Sequence, residues 1–391
     1  MAPTLAILTK ARGTFFKPLY EALAQAQPAP WRTLLVWPSQ NANEHPVAAV
    51  TPQADNLDLR IVSSQSRQMS TSDAALEGRR STYQTFLPSR EAWRTLRAHD
   101  VRAVLIHEFS PFTLQGLLLA KWNRLPVVVS TEVGESNKQL FHARTRLWHG
   151  FWSRFVDGVA ACCPAAHEPL SGQRVPTIAT YHAVDSRLYA PLSTTRAENA
   201  PVTFAYLGQL IRRKGLDLWL DAALELKAKG FANFRLRFIG GGDEAWLRES
   251  IAQRQLDAHC ELTGFLSGAA IRDALGTADV FVLPTRQDTY AAVVHEAACL
   301  GLPLLVSKHA GAAEALVRDG ENGFVFDPAD TASFAQRMSL LMDDTLRLAM
   351  GPCSRALGEM HSAHVRGAAL WQFFENLPAN PTRSLEYVRH S

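Results

Sequence analysis

A chain of 391 residues exceeds one ordinary core, since domains usually run about 100–200 residues, so two domains of similar size are expected. Hydrophobic residues make up 47% and charged residues 20%, which excludes a disordered chain, and a net charge of +3 gives no global reason to expect nucleic acid. The charge is uneven: residues 1–190 hold 20 Lys and Arg against 14 Asp and Glu, and residues 191–391 hold 20 against 23. The basic first half hints at an anionic partner there.

Cys162, Cys163, Cys260, Cys299 and Cys353 lack metal-type spacing and read as reduced thiols, the first two in an apolar stretch. The N-terminus has no basic leader, and no apolar run approaches the ~20 residues needed to span a bilayer. The expectation is a cytoplasmic protein, or one that sits at the inner face of a membrane without crossing it.

In chain order, Leu5–Thr9 reads as a strand, Gly13 as a tight turn and Phe16–Gln25 as a helix. Thr33–Trp37 and Leu59–Val62 read as further strands. Between Ser63 and Thr85 the chain turns polar, a long connection of the kind that is functional or disordered. Val101–His107, Pro126–Ser130 and Val156–Cys162 read as strands, the last closing the sheet, with a helix over Phe112–Asn123. The segment Gln139–Phe155 mixes Phe141, Trp148, Phe151, Trp152 and Phe155 with Arg144, Arg146 and Arg154. It is either a core-packing helix with solvated arginines or an interfacial helix with Trp and Arg at headgroup level.

The polar stretch 186–200, with Pro191, Ser193, Thr194, Thr195 and Glu198, marks a linker and divides the chain into domains 1–190 and 191–391. The last helix is a candidate to pack back on the first domain. Beyond the linker the rhythm repeats: strands at Val202–Leu207, Arg235–Ile239, Val280–Leu283 and Pro303–Val306, helices at Leu216–Lys229, Glu244–Gln255 and Ala291–Leu300. Alternating strands and helices predict an α/β chain of two doubly wound, Rossmann-like domains facing a central cleft, with ligands at the carboxyl ends of the strands.

Chemistry concentrates in the second half. Tyr206-Leu-Gly-Gln-Leu-Ile-Arg-Arg-Lys214-Gly215 follows a strand and opens a helix. Gly208 permits close approach of a ligand, while Arg212, Arg213 and Lys214 set cations beside a helix start that itself favours anions, an arrangement suited to a diphosphate. Gly240-Gly241-Gly242-Asp243 is a second close-approach loop. Asp288 precedes a helix in which Glu296 lies among Ala291, Ala292, Val293, Val294, Ala297 and Ala298. A carboxylate there needs a partner, either ribose hydroxyls or a protein group such as His295 or an arginine.

These motifs resemble the retaining glycosyltransferases of family 4. Gly208…Lys214-Gly215 is similar to that family's Gly-Arg-Leu-x3-Lys-Gly element, and Asp288…Glu296 through Gly301-Leu302-Pro303 to its Glu-x7-Glu-Ala-x-Ala-x-Gly-x-Pro element. Thr263-Gly264-Phe265-Leu266 is similar to the loop framing the nucleobase. Gly311 with Glu314, Asp319-Gly320-Glu321-Asn322-Gly323, and His182-Ala-Val184-Asp185 are similar to further family elements. The likeness covers about 159–330 in detail and the first 150 residues only in architecture.

The resemblance implies a GT-B fold and transfer of a sugar, with retention, from a UDP- or GDP-linked donor to a glycan or lipid-linked acceptor of polysaccharide or lipopolysaccharide biosynthesis. Lys214 would carry the leaving diphosphate, with Gly208, Arg212, Arg213 and Gly241 around it; Phe265 and Leu266 would frame the base. Glu296 would take the ribose, Asp288 a sugar hydroxyl, and the amides of Thr289, Tyr290 and Ala291 would complete the sugar pocket. No cofactor is implied, and no metal, since the chain has no Asp-x-Asp pair. Three departures stand out: Gln209 for the usual phosphate-binding Arg, Asp288 for Glu, and Ala291 for a common Gly. They leave a non-catalytic sugar-nucleotide or glycan-binding protein as the alternative. In the first half His107-Glu108 and Ser130-Thr131-Glu132 end strands, so His107 and Glu132 are candidates beside the anomeric carbon, or else caps and core polar groups.

Overall fold

The computed structural model describes residues 1–10, 16–39, 54–72, 80–172, 174–192 and 199–377. Gly13 and the linker residues Ser193, Thr194, Thr195 and Glu198 lie outside them. The chain forms two units, one of Met1–Ala183 together with the chain from Ala363, the other of Val184–Ser362. The first unit ends a few residues ahead of the expected boundary because Ala183 packs with Leu19, Ala22 and Ala363.

In the first unit the strands are β1 (Pro3–Leu8), β2 (Arg32–Ser39), β3 (Leu57–Ser63), β4 (Ser66–Ser72), β5 (Arg80–Phe86), β6 (Asp100–His107), β7 (Val127–Thr131), β8 (Gly158–Ala161) and β9 (Thr177–Ala179). Its helices are α1 (Lys17–Ala26), α2 (Arg90–Arg97), α3 (Leu114–Asn123) and α4 (Ala143–Trp152). Seven strands form one sheet in the order β3-β2-β1-β6-β7-β8-β9, every pairing parallel. Both faces are covered, which is why β1 and β6 read as nearly unbroken apolar runs. One face packs Leu8, Val104, Ile106, Phe112 and Leu117. The other packs Leu5, Ile7, Tyr20 and Leu105 against Leu370, Trp371 and Phe374 of the chain's last helix.

Two expectations are corrected. The sheet continues past β8 to the three-residue β9. The polar run between Ser63 and Thr85 contains an antiparallel β4–β5 pair rather than an irregular connection. Its Thr and Ser residues suit a two-stranded ribbon that lacks the apolar alternation of a buried strand.

The second unit contains β10 (Val202–Leu207), α5 (Leu216–Ala228), β11 (Phe234–Ile239), α6 (Glu244–Gln253), β12 (Cys260–Gly264), α7 (Ala269–Gly276) and β13 (Val280–Leu283). It continues with α8 (Ala292–Cys299), β14 (Leu304–Ser307), α9 (Gly311–Leu316), β15 (Gly323–Phe326), α10 (Thr331–Leu340) and α11 (Asp344–Met360). The last helix, α12 (Ala363–Asn376), belongs to the first unit. The six-stranded parallel sheet runs β12-β11-β10-β13-β14-β15. Counting only the strands of each sheet, both follow the dinucleotide-fold order 3-2-1-4-5-6, the first with one strand more. Each therefore reverses direction once, between β1 and β6 and between β10 and β13, and ligands of such sheets bind at the carboxyl ends of that reversal.

Candidate functional site

The β10–β13 reversal of the second unit is closed by two loops that hold each other. Gly208 leaves β10 at φ +150°, and a 3-10 turn of Arg212–Lys214 leads to Gly215 at φ +70°, which caps α5. A Cβ on Gly215 would lie 2.0 Å from the Pro284 carbonyl oxygen, so only glycine lets the loop after β10 meet the loop after β13. Arg286 N–H donates to the Arg213 carbonyl at 2.9 Å, and Arg213 Nη1 donates to the Gln287 carbonyl at 2.6 Å. Arg286 also grips Asp217 of α5 through two bonds of 2.8 Å each. Across this seam the Lys214 ammonium pairs with Asp288 Oδ2.

The pair is largely covered: the Lys214 side chain is only 12% exposed and that of Asp288 16%. Of Arg212 and Arg213, read as neighbours of the diphosphate, Arg213 bonds the Gln287 carbonyl and Arg212 lies over the Trp246 ring at 5.0 Å. Gln209 is exposed, and its carbonyl accepts the Tyr206 hydroxyl at 2.8 Å.

The loop after β13 is fastened to the start of α9. Asp288 N–H donates to His309, Gly311 N–H to Asp288 and Ala312 N–H to Tyr290, at 3.0, 3.1 and 2.8 Å. Thr289 lies within this stretch, and a Cβ on Gly311 would approach its carbonyl oxygen to 2.1 Å. Ala291, at the α8 N-cap, has φ +73°. A non-glycine residue there costs about 1–2 kcal/mol, which accounts physically for glycine being the common choice in the resembled motif.

Glu296 lies one turn before the end of α8 and keeps part of its surface exposed. Burial among its neighbours pushes its carboxyl up to about 7, while a hydrogen bond from the Tyr189 hydroxyl works in the other direction. The protein partner is thus neither His295, which bonds the Gly358 carbonyl at 2.8 Å, nor an arginine. Nothing in the sequence pointed to Tyr189.

The glycine run follows β11, the neighbour of β10 on the side away from β13. Gly240 and Gly242 have φ +139° and +147°. A Cβ on Gly240 would meet the Gly208 carbonyl at 2.0 Å, and one on Gly241 would touch Phe265 at 3.6 Å. Phe265 itself is 81% exposed, with Leu266 half-buried beside it, an apolar platform at the carboxyl end of β12. The Asp-Gly-x-Asn-Gly element serves the fold: Asn322, fully buried, donates to the Leu316 carbonyl at 2.9 Å and accepts from Arg318 N–H at 2.7 Å.

The first unit carries a polar cluster at its own reversal. Glu108 leaves β6 with φ +56°, a conformation that non-glycine residues keep mainly at functional sites. Its carboxylate accepts the Thr131 hydroxyl at 2.8 Å and the Glu132 N–H at 2.7 Å. Burial, with the neighbouring Glu132 charge, pushes Glu108 up to about 7. His149 Nε2 stands 3.6 Å from Glu108. Burial lowers Lys10, at the end of β1, and the Glu108 charge opposes that shift.

Glu132 pairs with His182 Nε2 at 2.8 Å; burial alone would raise its carboxyl, but His182 holds it below the usual carboxylate range. His107 is buried, pushed down to about 4 by desolvation, and shares a 3.3 Å hydrogen bond with Ser130. The edge of its ring meets Phe16, with centroids 4.1 Å apart. The structure thus gathers His107 and Glu132, as singled out, with Glu108, and adds Lys10, His149 and His182. Lys10 could have been found from its place after the first strand of a doubly wound sheet; His182 stood out only as part of the element ahead of the linker, and His149 carried no signal.

Among the described residues no group of three His, Cys, Asp or Glu is placed to hold a metal, and no helix is long and apolar enough to cross a membrane. All five cysteines are free thiols.

Residues 194–355 match the family described as glycosyl transferases group 1. WcaL of Salmonella typhimurium, a protein named as a colanic acid biosynthesis glycosyltransferase, is 32% identical over 153 residues, 37% of this chain and 37% of its own length. The amylovoran biosynthesis glycosyltransferase AmsK of Erwinia amylovora is 30% identical over 146 residues, 36% of this chain and 35% of its own. The matched stretch therefore spans little more than a third of these curated relatives. Over nearly the full length, the crystal structure of Anabaena HepE in complex with UDP superposes with a TM-score of 0.71 at 17% identity, covering 96% of this chain and 100% of that one. The chain has the GT-B fold, and residues 194–355 of its second unit are similar to the family of glycosyl transferases group 1.

Proposed function

We propose that this protein is a glycosyltransferase that moves a sugar from a nucleoside-diphosphate sugar to a glycan or lipid-linked acceptor in polysaccharide or lipopolysaccharide biosynthesis, with retention and without a bound metal. The observation that carries the reading is the Lys214–Asp288 pair across the β10–β13 reversal, flanked by glycines that let the surrounding loops pack backbone to backbone. A departing diphosphate gathers negative charge, and a fixed ammonium in a water-poor site stabilises that charge without reorganising. Asp288 holds the ammonium in place and is free to receive a sugar hydroxyl once phosphate takes over the lysine. Glu296 takes the ribose, Phe265 and Leu266 the base, and the first unit's cluster at Glu108 and Glu132 the acceptor. Support also comes from the group 1 match and from HepE, which was crystallised with UDP. Incubating the protein with a panel of UDP- and GDP-linked sugars should release nucleoside diphosphate with at least one donor, faster when a lipid-linked saccharide is added. No release with any donor, alongside tight nucleotide binding, would show a binding protein instead.

The acceptor side of the proposal is lipid-linked. In the first unit Leu147, Phe151 and Phe155 are 75%, 50% and 41% exposed, and Trp148 is 39% exposed with its indole N–H on the Phe109 carbonyl. Arg144, Arg146 and Arg154 are exposed on the same segment, whereas Trp152 packs on the core. Of the two readings of Gln139–Phe155, this exposure supports a helix that meets a membrane surface. Each Lys or Arg near an anionic surface contributes about 1 kcal/mol, so binding is expected to be reversible and salt-sensitive. The protein should co-sediment with anionic liposomes at low ionic strength and be released at high. Protein left in the supernatant with anionic liposomes at low salt would exclude the membrane reading.

A further inference from the structure

Lys214 is held at its backbone and at its ammonium by one short segment of the loop after β13. Two residues ahead of Asp288, which receives the ammonium, stands Arg286. The main-chain N–H of Arg286 donates to the Arg213 carbonyl at 2.9 Å. Its side chain donates through Nη1 to the Arg212 carbonyl at 2.7 Å. Arg286 therefore holds both carbonyls of the 3-10 turn immediately ahead of Lys214, one with its main chain and one with its guanidinium. The same guanidinium lies as a fork on Asp217 in the first turn of α5, Nη1 on Oδ1 and Nη2 on Oδ2, each at 2.8 Å.

A planar guanidinium that grips a carboxylate through two bonds has little freedom left, so its bond to the Arg212 carbonyl is fixed in direction. Burial alone would raise the Asp217 carboxyl, and Arg286 holds it below the usual carboxylate range, so the fork sits on a charged group. The turn is thus tied to the helix that follows it and to the loop across the seam by one side chain. An exposed ion pair contributes little to folding, and Arg286 keeps 41% of its side chain exposed. Folding stability by itself is a weak reason for this convergence. Placing a cation for a ligand is a stronger one, because a fixed ammonium need not reorganise when charge develops beside it.

We infer that Arg286 is a positioning residue for the donor diphosphate: it fixes the turn that carries Lys214 and so aims the ammonium at the phosphates. This role rests on Lys214 being the diphosphate residue, as proposed above. Arg286 acts through Lys214, and its own guanidinium stays on Asp217 and the Arg212 carbonyl.

The test is isothermal titration with UDP, GDP and ADP, the tightest being carried forward with its parent nucleoside. The ratio of the two affinities isolates what the diphosphate contributes. Arg286→Met should lower this ratio by about three- to tenfold, with the nucleoside bound as before. Its melting temperature should fall by no more than about 4 °C. Arg286→Lys, which keeps the charge but has no fork, should fall between Arg286→Met and the wild type. It carries the same comparison if Arg286→Met does not fold. In a Lys214→Ala background, where the ammonium is already gone, Arg286→Met should change the ratio no further. An equal loss with and without Lys214 would mean that Arg286 does not act through the lysine, and would overturn the positioning role. If Arg286→Met matches the wild type while Lys214→Ala collapses the ratio, the role of Arg286 falls and the diphosphate reading stands. If Lys214→Ala keeps the wild-type ratio, or if no nucleotide binds, both fall.

Discussion

Lys214→Ala is expected to lower turnover by about 100- to 1,000-fold, the usual result of removing one fixed group that stabilises developing charge. The ammonium is held at 12% side-chain exposure against Asp288, so its position is set before any donor arrives. Removing it also strands the Asp288 carboxylate at 16% exposure, and a loss of about 1–3 kcal/mol in folding stability should accompany the kinetic effect. The two consequences can be separated. Urea unfolding reports the stability, and single-turnover release of nucleoside diphosphate reports the chemistry. Asp288→Asn, which leaves the lysine in place, should lose less than Lys214→Ala in the chemical step. A Lys214→Ala protein with wild-type turnover and only a stability loss would make the pair a structural clasp and remove the basis of the proposed diphosphate site.

The second large effect is expected from Gly240→Ala. Gly240 combines φ +139° with a Cβ position 2.0 Å from the Gly208 carbonyl oxygen, and its N–H bonds the Gly264 carbonyl at 3.0 Å. An added methyl group cannot be relieved by turning a side chain, because what it strikes is backbone. The β10 loop has to move, and Lys214 is carried on that loop. Stability should fall by about 2–4 kcal/mol and nucleotide affinity by more than tenfold. Gly230 supplies the control, since it has φ +93° with nothing within 4 Å of its Cβ position. Gly230→Ala should cost only the backbone strain, about 1–2 kcal/mol, and leave nucleotide binding unchanged. Equal behaviour of the two variants in denaturation and titration would rule out close packing as the reason for the glycine at 240.

How much of this was legible beforehand depends on how far apart the participating residues lie in the chain. The strands Val202–Leu207 and Val280–Leu283 were read with the bounds they have, and the parallel sheets followed from apolar runs alternating with helical periods. Gly208, Lys214, Asp288 and Glu296 could be singled out because each sits in a strand-to-helix loop or on a helix whose neighbours are of the opposite kind. Those are local signals, carried by residues within one turn or loop.

The short β9 was missed because three residues show no period, and the β4–β5 ribbon because polar residues make up most of both strands. The aromatic run before Phe155 had the right helical spacing, but spacing is the same for a buried face and an exposed one; only packing decided that Trp152 goes in and Phe151 stays out. The first unit's cluster needs Lys10, Glu108, Glu132, His149 and His182 from five separate segments, and the pairing of Tyr189 with Glu296 joins two more. Amino-acid sequence determined the alternation of strands and helices in both units and the glycine- and cation-bearing loops that follow the strands. Tertiary structure alone decided which charges face each other, because burial and contact between distant segments, not residue type, set whether a carboxylate is paired, neutral or ready to bind.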